Sequence, residues 1–227
     1  MYTRHLIVDF EWTSIPKNKK TKEIREYARQ EIIQIGAVLL DQEYNKIGTF
    51  CCYVKPEFSR VSKFVTSLTG ITNESLTEAA SLQDALMLMR DWIGDDHQTS
   101  TRTYSFSSTD MYVLEDETYL KGIAFPRWAY RWMDIQRVFQ YLIGYYRTKQ
   151  LSLKVAVNAL DLDYDEARAH DGLYDAELAA MILCTIKAEG FQERVRAIRE
   201  LTTHGSANVT IGDLIGVELM AKLAPAL

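Results

Sequence analysis

Positive charge is scarce in this sequence: 26 lysines and arginines stand against 31 aspartates and glutamates, for a formal net charge of -5. That balance excludes a protein that grips nucleic acid chiefly through a broad basic face. It leaves room for an enzyme that handles nucleic acid through divalent cations. Such a site needs carboxylates, and the bound cations then carry the local positive charge. Cysteine is scarcer still. Cys51, Cys52 and Cys184 are odd in number, and two of them are neighbours on a strand-like run, where they point to opposite faces. Neither a disulfide framework nor a zinc spacing can be built from them, so reduced thiols in a cytoplasm are expected. Long apolar runs are missing as well. Nothing approaches the roughly 18 apolar residues of a membrane-spanning helix, so no membrane partner is expected. The early run Leu6-Ile7-Val8 is too short for a secretory leader. No low-complexity tract and no solenoid or propeller repeat is present.

What is there suits a folded α/β protein. Hydrophobic residues make up 47% of the 227, enough for one medium domain or one domain with a helical appendage. Residues 5–10 read as a strand. Residues 13–30 are polar and read as a loop ending in a short helix. The apolar run 32–40 predicts a central strand, and 48–54 a third strand joined to it by a polar hairpin turn. Helical patterns follow at 61–68 and 73–78, and more clearly at 81–93, where Leu82, Ala85, Leu86, Met89, Trp92 and Ile93 share a side. A fourth strand is predicted at 104–106, with a helix opening at Ser108 or Thr109. Further helices are predicted at 134–146, 152–160 and 173–189. Gly190 breaks the last of these. Residues 191–227 then read as a helical C-terminal extension, packed on the 1–190 domain or on a second copy of the chain. The order, with strands first and helices later, predicts a mixed sheet flanked by helices.

Three groups of residues could carry chemistry. Asp9-Phe10-Glu11 puts two carboxylates on one side of the first strand, just after a buried-looking run. Two like charges that close repel unless something positive lies between them, and a divalent cation held by oxygens is the natural answer. The same tripeptide also suits a solvated strand edge. Asp110 opens a predicted helix, where an acid can equally serve as a cap or favour the helix dipole. His170 and Asp175 flank the start of the 173–189 helix, close enough in sequence to reach one point beyond its end. A neutral imidazole there could take a proton from water. A surface histidine beside a first-turn acid is the plainer alternative.

Together these residues resemble a known family. Asp9-Phe10-Glu11-Trp12-Thr13, then Asp110, then His170-Asp171-Gly172-Leu173-Tyr174-Asp175-Ala176 is similar to the three motifs of the DEDDh (DnaQ-like) 3′→5′ exonucleases. Glu31-Ile32-Ile33-Gln34-Ile35-Gly36-Ala37 and Leu68-Thr69-Gly70-Ile71-Thr72 extend the likeness. It covers about residues 5 to 188 and is nearest to the subgroup that trims RNA 3′ ends. Gly172 stands where members often carry alanine.

The resemblance implies a ribonuclease-H-like fold and hydrolysis of single-stranded RNA or DNA from the 3′ end to nucleoside 5′-monophosphates. It implies two Mg2+ or Mn2+ ions held by Asp9, Glu11, Asp110 and Asp175, with Asp9 shared between them and His170 as general base. Thr13 would meet the terminal 3′-hydroxyl, while Trp12, Leu68 and Thr69 would wall the terminal base. Two other functions remain open: a catalytically weak nucleic-acid-binding adaptor, or a phosphodiesterase of very short oligonucleotides. Lys17, Lys19, Lys20 and Lys22 read either as a solvated loop or as a guide for phosphates. Asp134 reads as a helix cap, and Asp171 as pointing away from the site.

Overall fold

The computed structural model describes residues 2–145 and 150–196. By its contacts the chain divides into two compact units, Met1–Asp134 with Ala167–Glu177 and Ile135–Glu166 with Leu178–Leu227. The expected extension at 191–227 lies outside the described residues from 197 onward.

The first unit is built on a five-stranded sheet in the order β3-β2-β1-β4-β5. Its strands are β1 (Arg4–Ser14), β2 (Gln30–Leu40), β3 (Lys46–Tyr53), β4 (Thr101–Ser105) and β5 (Trp132–Asp134). Pairing is antiparallel for β1–β2 and β2–β3, and parallel for β1–β4 and β4–β5. The predicted hairpin of β2 and β3 is present. The first strand runs four residues past its expected end at 10, because Trp12, Thr13 and Ser14 continue the ladder with Ile32, Glu31 and Gln30.

Between Glu11 and Trp12 the ladder shifts register, and the extra residue is Ile33 on β2. A bulge of this kind changes which face the following residues occupy. It puts Ile32 and Ile35 on one face although they are three positions apart. Ile32 joins Ile35, Ala37 and Leu39 in the main core, whereas Ile33 joins Val61, Ile71 and Leu76 in a smaller cluster. Leu6, Val8 and Phe10 of β1 face the main core, so the odd-numbered Asp9 and Glu11 face the other side of the sheet.

Helix α1 (Ile24–Tyr27) is a single turn, and α2 (Lys63–Thr69) is capped by the Ser62 hydroxyl and ended by left-handed Gly70. Helix α3 (Leu82–Ile93) buries the predicted stripe except Trp92, which is partly buried against the same core, and α4 (Thr109–Leu120) adds Val113 and Leu114. The predicted helix at 73–78 is instead a series of turns. Asn73 does not cap a helix; its amide accepts from Val61 N–H at 2.9 Å and donates to the Val61 carbonyl at 2.9 Å.

A buried ion cluster ties this unit together. Lys121 Nζ lies 2.7 Å from Glu117 and 3.1 Å from Glu31, both carboxylates being fully buried. Glu117 also accepts from Ile32 N–H (2.7 Å). Glu31 accepts from the N–H groups of Glu57 and Phe58 and from the Ser59 hydroxyl. The lysine thus joins the start of β2, the end of α4 and the 57–59 segment. Burial pushes Glu117 up to about 7, against the pull of Lys121.

The second unit contains α5 (Ile135–Leu142) and α6 (Leu153–Ala159), the latter capped by Ser152. Gln136 donates to the Leu151 carbonyl at 2.7 Å, and Lys154 pairs with Glu166. The predicted helix at 134–146 is corrected at its start: Trp132–Asp134 pairs with β4 as a strand, and the helix begins at Ile135. Helix α7 (Gly172–Lys187) begins in the first unit.

Candidate active site

Every acid expected at the site comes from the first unit. Asp9 and Glu11 project from β1 on the side away from the main core. Asp110 sits in the first turn of α4 and accepts from the Phe10 N–H at 3.0 Å. That bond fixes a carboxylate against the backbone between Asp9 and Glu11. Asp175 lies in the first turn of α7 and accepts from the His170 N–H at 3.3 Å. His170 holds a left-handed backbone (φ 64°), unusual for a residue with a side chain, which turns the chain sharply into α7. Donor atoms of Glu11, His170 and Asp175 all lie within 4.8 Å of one another.

The start of α7 is seated against the sheet by a side chain that the sequence reading missed. Gln34 of β2 accepts from the Gly172 N–H at 3.0 Å, while its amide N–H donates to Cys51 Sγ at 3.4 Å. A glutamine within an apolar strand run was the available signal. Gly36 lies directly beneath: a Cβ on it would fall 2.1 Å from the Gly172 carbonyl carbon. Only a residue without a side chain permits this approach.

The electrostatics show what the cluster lacks. Burial first, then the charges of Asp110, Asp175, Glu11 and Asp171, hold Asp9 well above the ordinary carboxylate range. Burial, then Asp175, Asp110 and Asp171, push Glu11 up to about 8. Asp110 is raised to about 7, by burial foremost and against the Phe10 N–H, and Asp175 to about 6, by burial and against the charge of His170. Four crowded carboxylates with one imidazole form a hard, oxygen-rich donor set, and each is destabilised as an anion. Divalent cations satisfy both conditions.

Two acids set aside from the sequence belong to these surroundings. Asp134 ends β5, and its charge raises Asp110. Asp171 accepts from the Leu173 N–H at 3.1 Å, and its charge bears on Asp9, Glu11 and Asp175. It does not stand apart from the site.

The expected substrate contacts are placed less uniformly. Leu68 is exposed on α2. Thr69 donates to the Val65 carbonyl and accepts from the Ile71 N–H, shaping the end of the helix. Trp12 packs against the main core and is partly buried. Thr13 is 1% exposed, and its hydroxyl donates to the Arg60 carbonyl at 3.1 Å. This hydroxyl anchors the 57–60 segment to β1 and keeps its acceptor lone pairs for a further donor.

A protein-family model described as "Exonuclease" (RNase_T) matches residues 6–183. The chain belongs to this exonuclease family. The family in general uses divalent metal ions, in keeping with the acid cluster. The chain is 25% identical over 207 residues to the 3′-5′ exonuclease Snipper of Drosophila melanogaster, across 83% of this chain and 71% of that protein. It is 30% identical over 197 residues to human 3′-5′ exoribonuclease 1, across 83% of this chain and 54% of that protein. The chain thus spans only about half the length of the human relative. Among solved structures it resembles the nuclease domain of 3′hExo, a DEDDh family member bound to rAMP. The TM-score is 0.69 at 28% identity, across 84% of this chain and 94% of that one. The sheet and its flanking helices are those of the ribonuclease-H-like exonucleases.

Proposed function

We propose that this chain is a 3′→5′ exonuclease that trims single-stranded ends to nucleoside 5′-monophosphates. The observation that carries the reading is the cluster of four mutually repelling carboxylates, with His170 within 4.8 Å of Glu11 and Asp175. Keeping such a cluster costs stability, and a binding adaptor has no use for it. Asp9, Glu11, Asp110 and Asp175 would hold two Mg2+ or Mn2+ ions. When bound, these cations lower the pKa of water and neutralise charge on the phosphate. His170 is exposed, and its ring accepts the proton of the attacking water. The water oxygen bonds to phosphorus as the bond from phosphorus to the 3′-oxygen breaks; the 3′-oxygen takes a proton from solvent, leaving a 3′-hydroxyl on the shortened strand and a 5′-phosphate on the released nucleoside. Asp110 is oriented for its part by Phe10 N–H, and Asp175 by His170 N–H.

Leu68, Thr69 and the exposed part of Trp12 contact the terminal base, without reading its identity. RNA is the favoured polymer, because relatives at 28–30% identity are named exoribonucleases. A reducing cytoplasm suits the three free cysteines, and no helix among the described residues is long and apolar enough to cross a membrane.

The test uses 5′-labelled single-stranded RNA and DNA with magnesium or manganese, resolved as length ladders. Stepwise shortening from the 3′ end is expected, abolished by EDTA, by Asp9→Ala and by His170→Ala. Absence of cleavage of every length under both metals refutes the proposal. Cleavage confined to dinucleotides and trinucleotides replaces it with a short-oligonucleotide phosphodiesterase.

A further inference from the structure

The densest run of positive charge in the sequence follows the strand that carries Asp9 and Glu11 and takes no part in the acid cluster. Between Lys17 and Arg29 there are six basic side chains (Lys17, Lys19, Lys20, Lys22, Arg25, Arg29) and two acidic ones (Glu23, Glu26), in a chain whose net charge is -5. Lys17, Lys19, Lys20 and Lys22 are all exposed. None of the four enters an ion pair among the described residues. Four like charges within six residues repel one another, so their local energy favours a polyanion that bridges them.

The fold holds this loop at one place. Ile15 N–H donates to the Arg29 carbonyl at 2.9 Å and closes the loop at its base. The Arg25 guanidinium donates to the Ile15 carbonyl, and the Thr21 hydroxyl to the Pro16 carbonyl. Asn18 Oδ1 accepts from the N–H groups of Lys20 (2.8 Å) and Thr21 (3.2 Å). Thr21 is buried beneath this turn, leaving the lysines outside. The loop leaves directly from the end of β1, the strand that carries Asp9 and Glu11. Lys17 is six positions after Glu11, so their Cα atoms are at most about 21 Å apart. At about 3.4 Å per nucleotide of stacked strand, that is a reach of no more than about six nucleotides.

We infer that the loop of residues 16–22 is a phosphate-binding surface for the upstream part of a single-stranded nucleic acid whose 3′ end lies at the acid cluster. The inference rests on the proposed function for the placement of that 3′ end. It separates two tasks. The acids engage the terminal phosphate, and the lysines hold the strand several nucleotides back. The loop supplies affinity for long substrates without reading sequence, and a dinucleotide is too short to reach it.

The test is the fourfold variant Lys17→Ala/Lys19→Ala/Lys20→Ala/Lys22→Ala, which leaves Asn18 and Thr21 in place. Binding of a fluorescent 20-nucleotide RNA is measured by anisotropy in EDTA, where turnover is absent. Each phosphate contact on a single strand changes the salt exponent of binding by about 0.7. If the contacts contribute nothing at 1 M salt, affinity at 0.1 M falls about 25-fold for two engaged lysines and about 600-fold for four. The plot of log affinity against log salt flattens accordingly, and the corresponding arginine variant retains wild-type binding. In magnesium, KM for the 20-nucleotide RNA rises with little change in kcat, while dinucleotide turnover is unaltered.

Unchanged RNA affinity overturns the inference, as does an equal loss on the dinucleotide. Lysine-dependent binding to phosphatidylserine vesicles with lysine-independent RNA binding overturns it in favour of a membrane surface. If the wild-type protein cleaves nothing yet binds RNA through these lysines, the proposed activity and the placement of the 3′ end fail, and only the phosphate-binding role of the loop stands. If it cleaves long RNA and the variant matches it, the reverse holds.

Discussion

Replacing Glu11 by glutamine should make the metal-free protein more stable while removing its activity. Glu11 is raised from an ordinary value of 4.5 to about 8, by burial first and by Asp175, Asp110 and Asp171 after it. A shift of about 3.5 units corresponds to about 5 kcal/mol when the group is fully charged. Residual solvent contact and relaxation of the neighbours reduce this, so a gain on the order of 2–4 kcal/mol is expected. The sign follows from the direction of the shift. A carboxyl raised in the folded state favours folding while protonated, below pH 4.5, and that share is lost as pH rises through about 8. The assay is urea denaturation in EDTA at pH 9 and pH 4.5. At pH 9, Glu11→Gln exceeds wild type by the amount above, or by roughly 5–15 °C in Tm. At pH 4.5 the two coincide. Magnesium stabilises wild type more than the variant, and kcat/KM of the variant falls by about 10²-fold or more. A variant no more stable than wild type in EDTA at pH 9, or a gain that persists at pH 4.5, refutes the electrostatic account of the site.

His170→Asn keeps a residue tolerant of the left-handed backbone and removes the imidazole; kcat should fall about 10²- to 10⁴-fold, while calorimetric affinity for Mn2+ falls far less than in Asp175→Asn. Lys121→Met strands Glu31 and Glu117 without their cation and should cost about 3–5 kcal/mol at pH 8. The loss should shrink at acid pH, because Glu117 already sits near 7 and protonates readily. Gly36→Ala drives a methyl group into the Gly172 backbone and should cost about 3 kcal/mol, with activity of the folded fraction also lowered because α7 carries Asp175; unchanged stability by urea titration contradicts the close packing of these residues.

The sequence was most readable where local rules and chemistry coincide. Asp9 and Glu11 follow an apolar run and share a face, so their strand and their side of the sheet could both be anticipated. Asp110 and Asp175 stand in first helical turns, as expected. What escaped depended on partners far away in sequence. Asp134 stands just before α5, as expected of a cap, but its place at the end of a strand beside β4 was not legible, because three residues are too few to show a period. Asp171 bonds locally to Leu173 N–H, and its charge reaches acids on β1 that are more than 150 positions earlier in the chain. Thr13 matches a motif position, yet the Arg60 carbonyl that claims its hydroxyl lies 47 residues on. The turns at 73–78 carry a helical pattern, which Asn73 overrides by bonding to Val61.

The extra residue at Ile33 bears on how reliably this chain finds its fold. A strand that is apolar on both faces fits its neighbours almost equally well after sliding by one or two positions. β2 is such a strand, and it lies inside the sheet between β3 and β1. The irregularity removes that freedom. Any slide carries Ile33 out of the small cluster with Val61, Ile71 and Leu76, and also moves Gly36 from beneath Gly172. A misaligned sheet would meet a side chain where the helix must land. The site geometry thus doubles as a proofreading step in folding: a chain whose strands are misregistered cannot seat α7, and so cannot assemble an active centre.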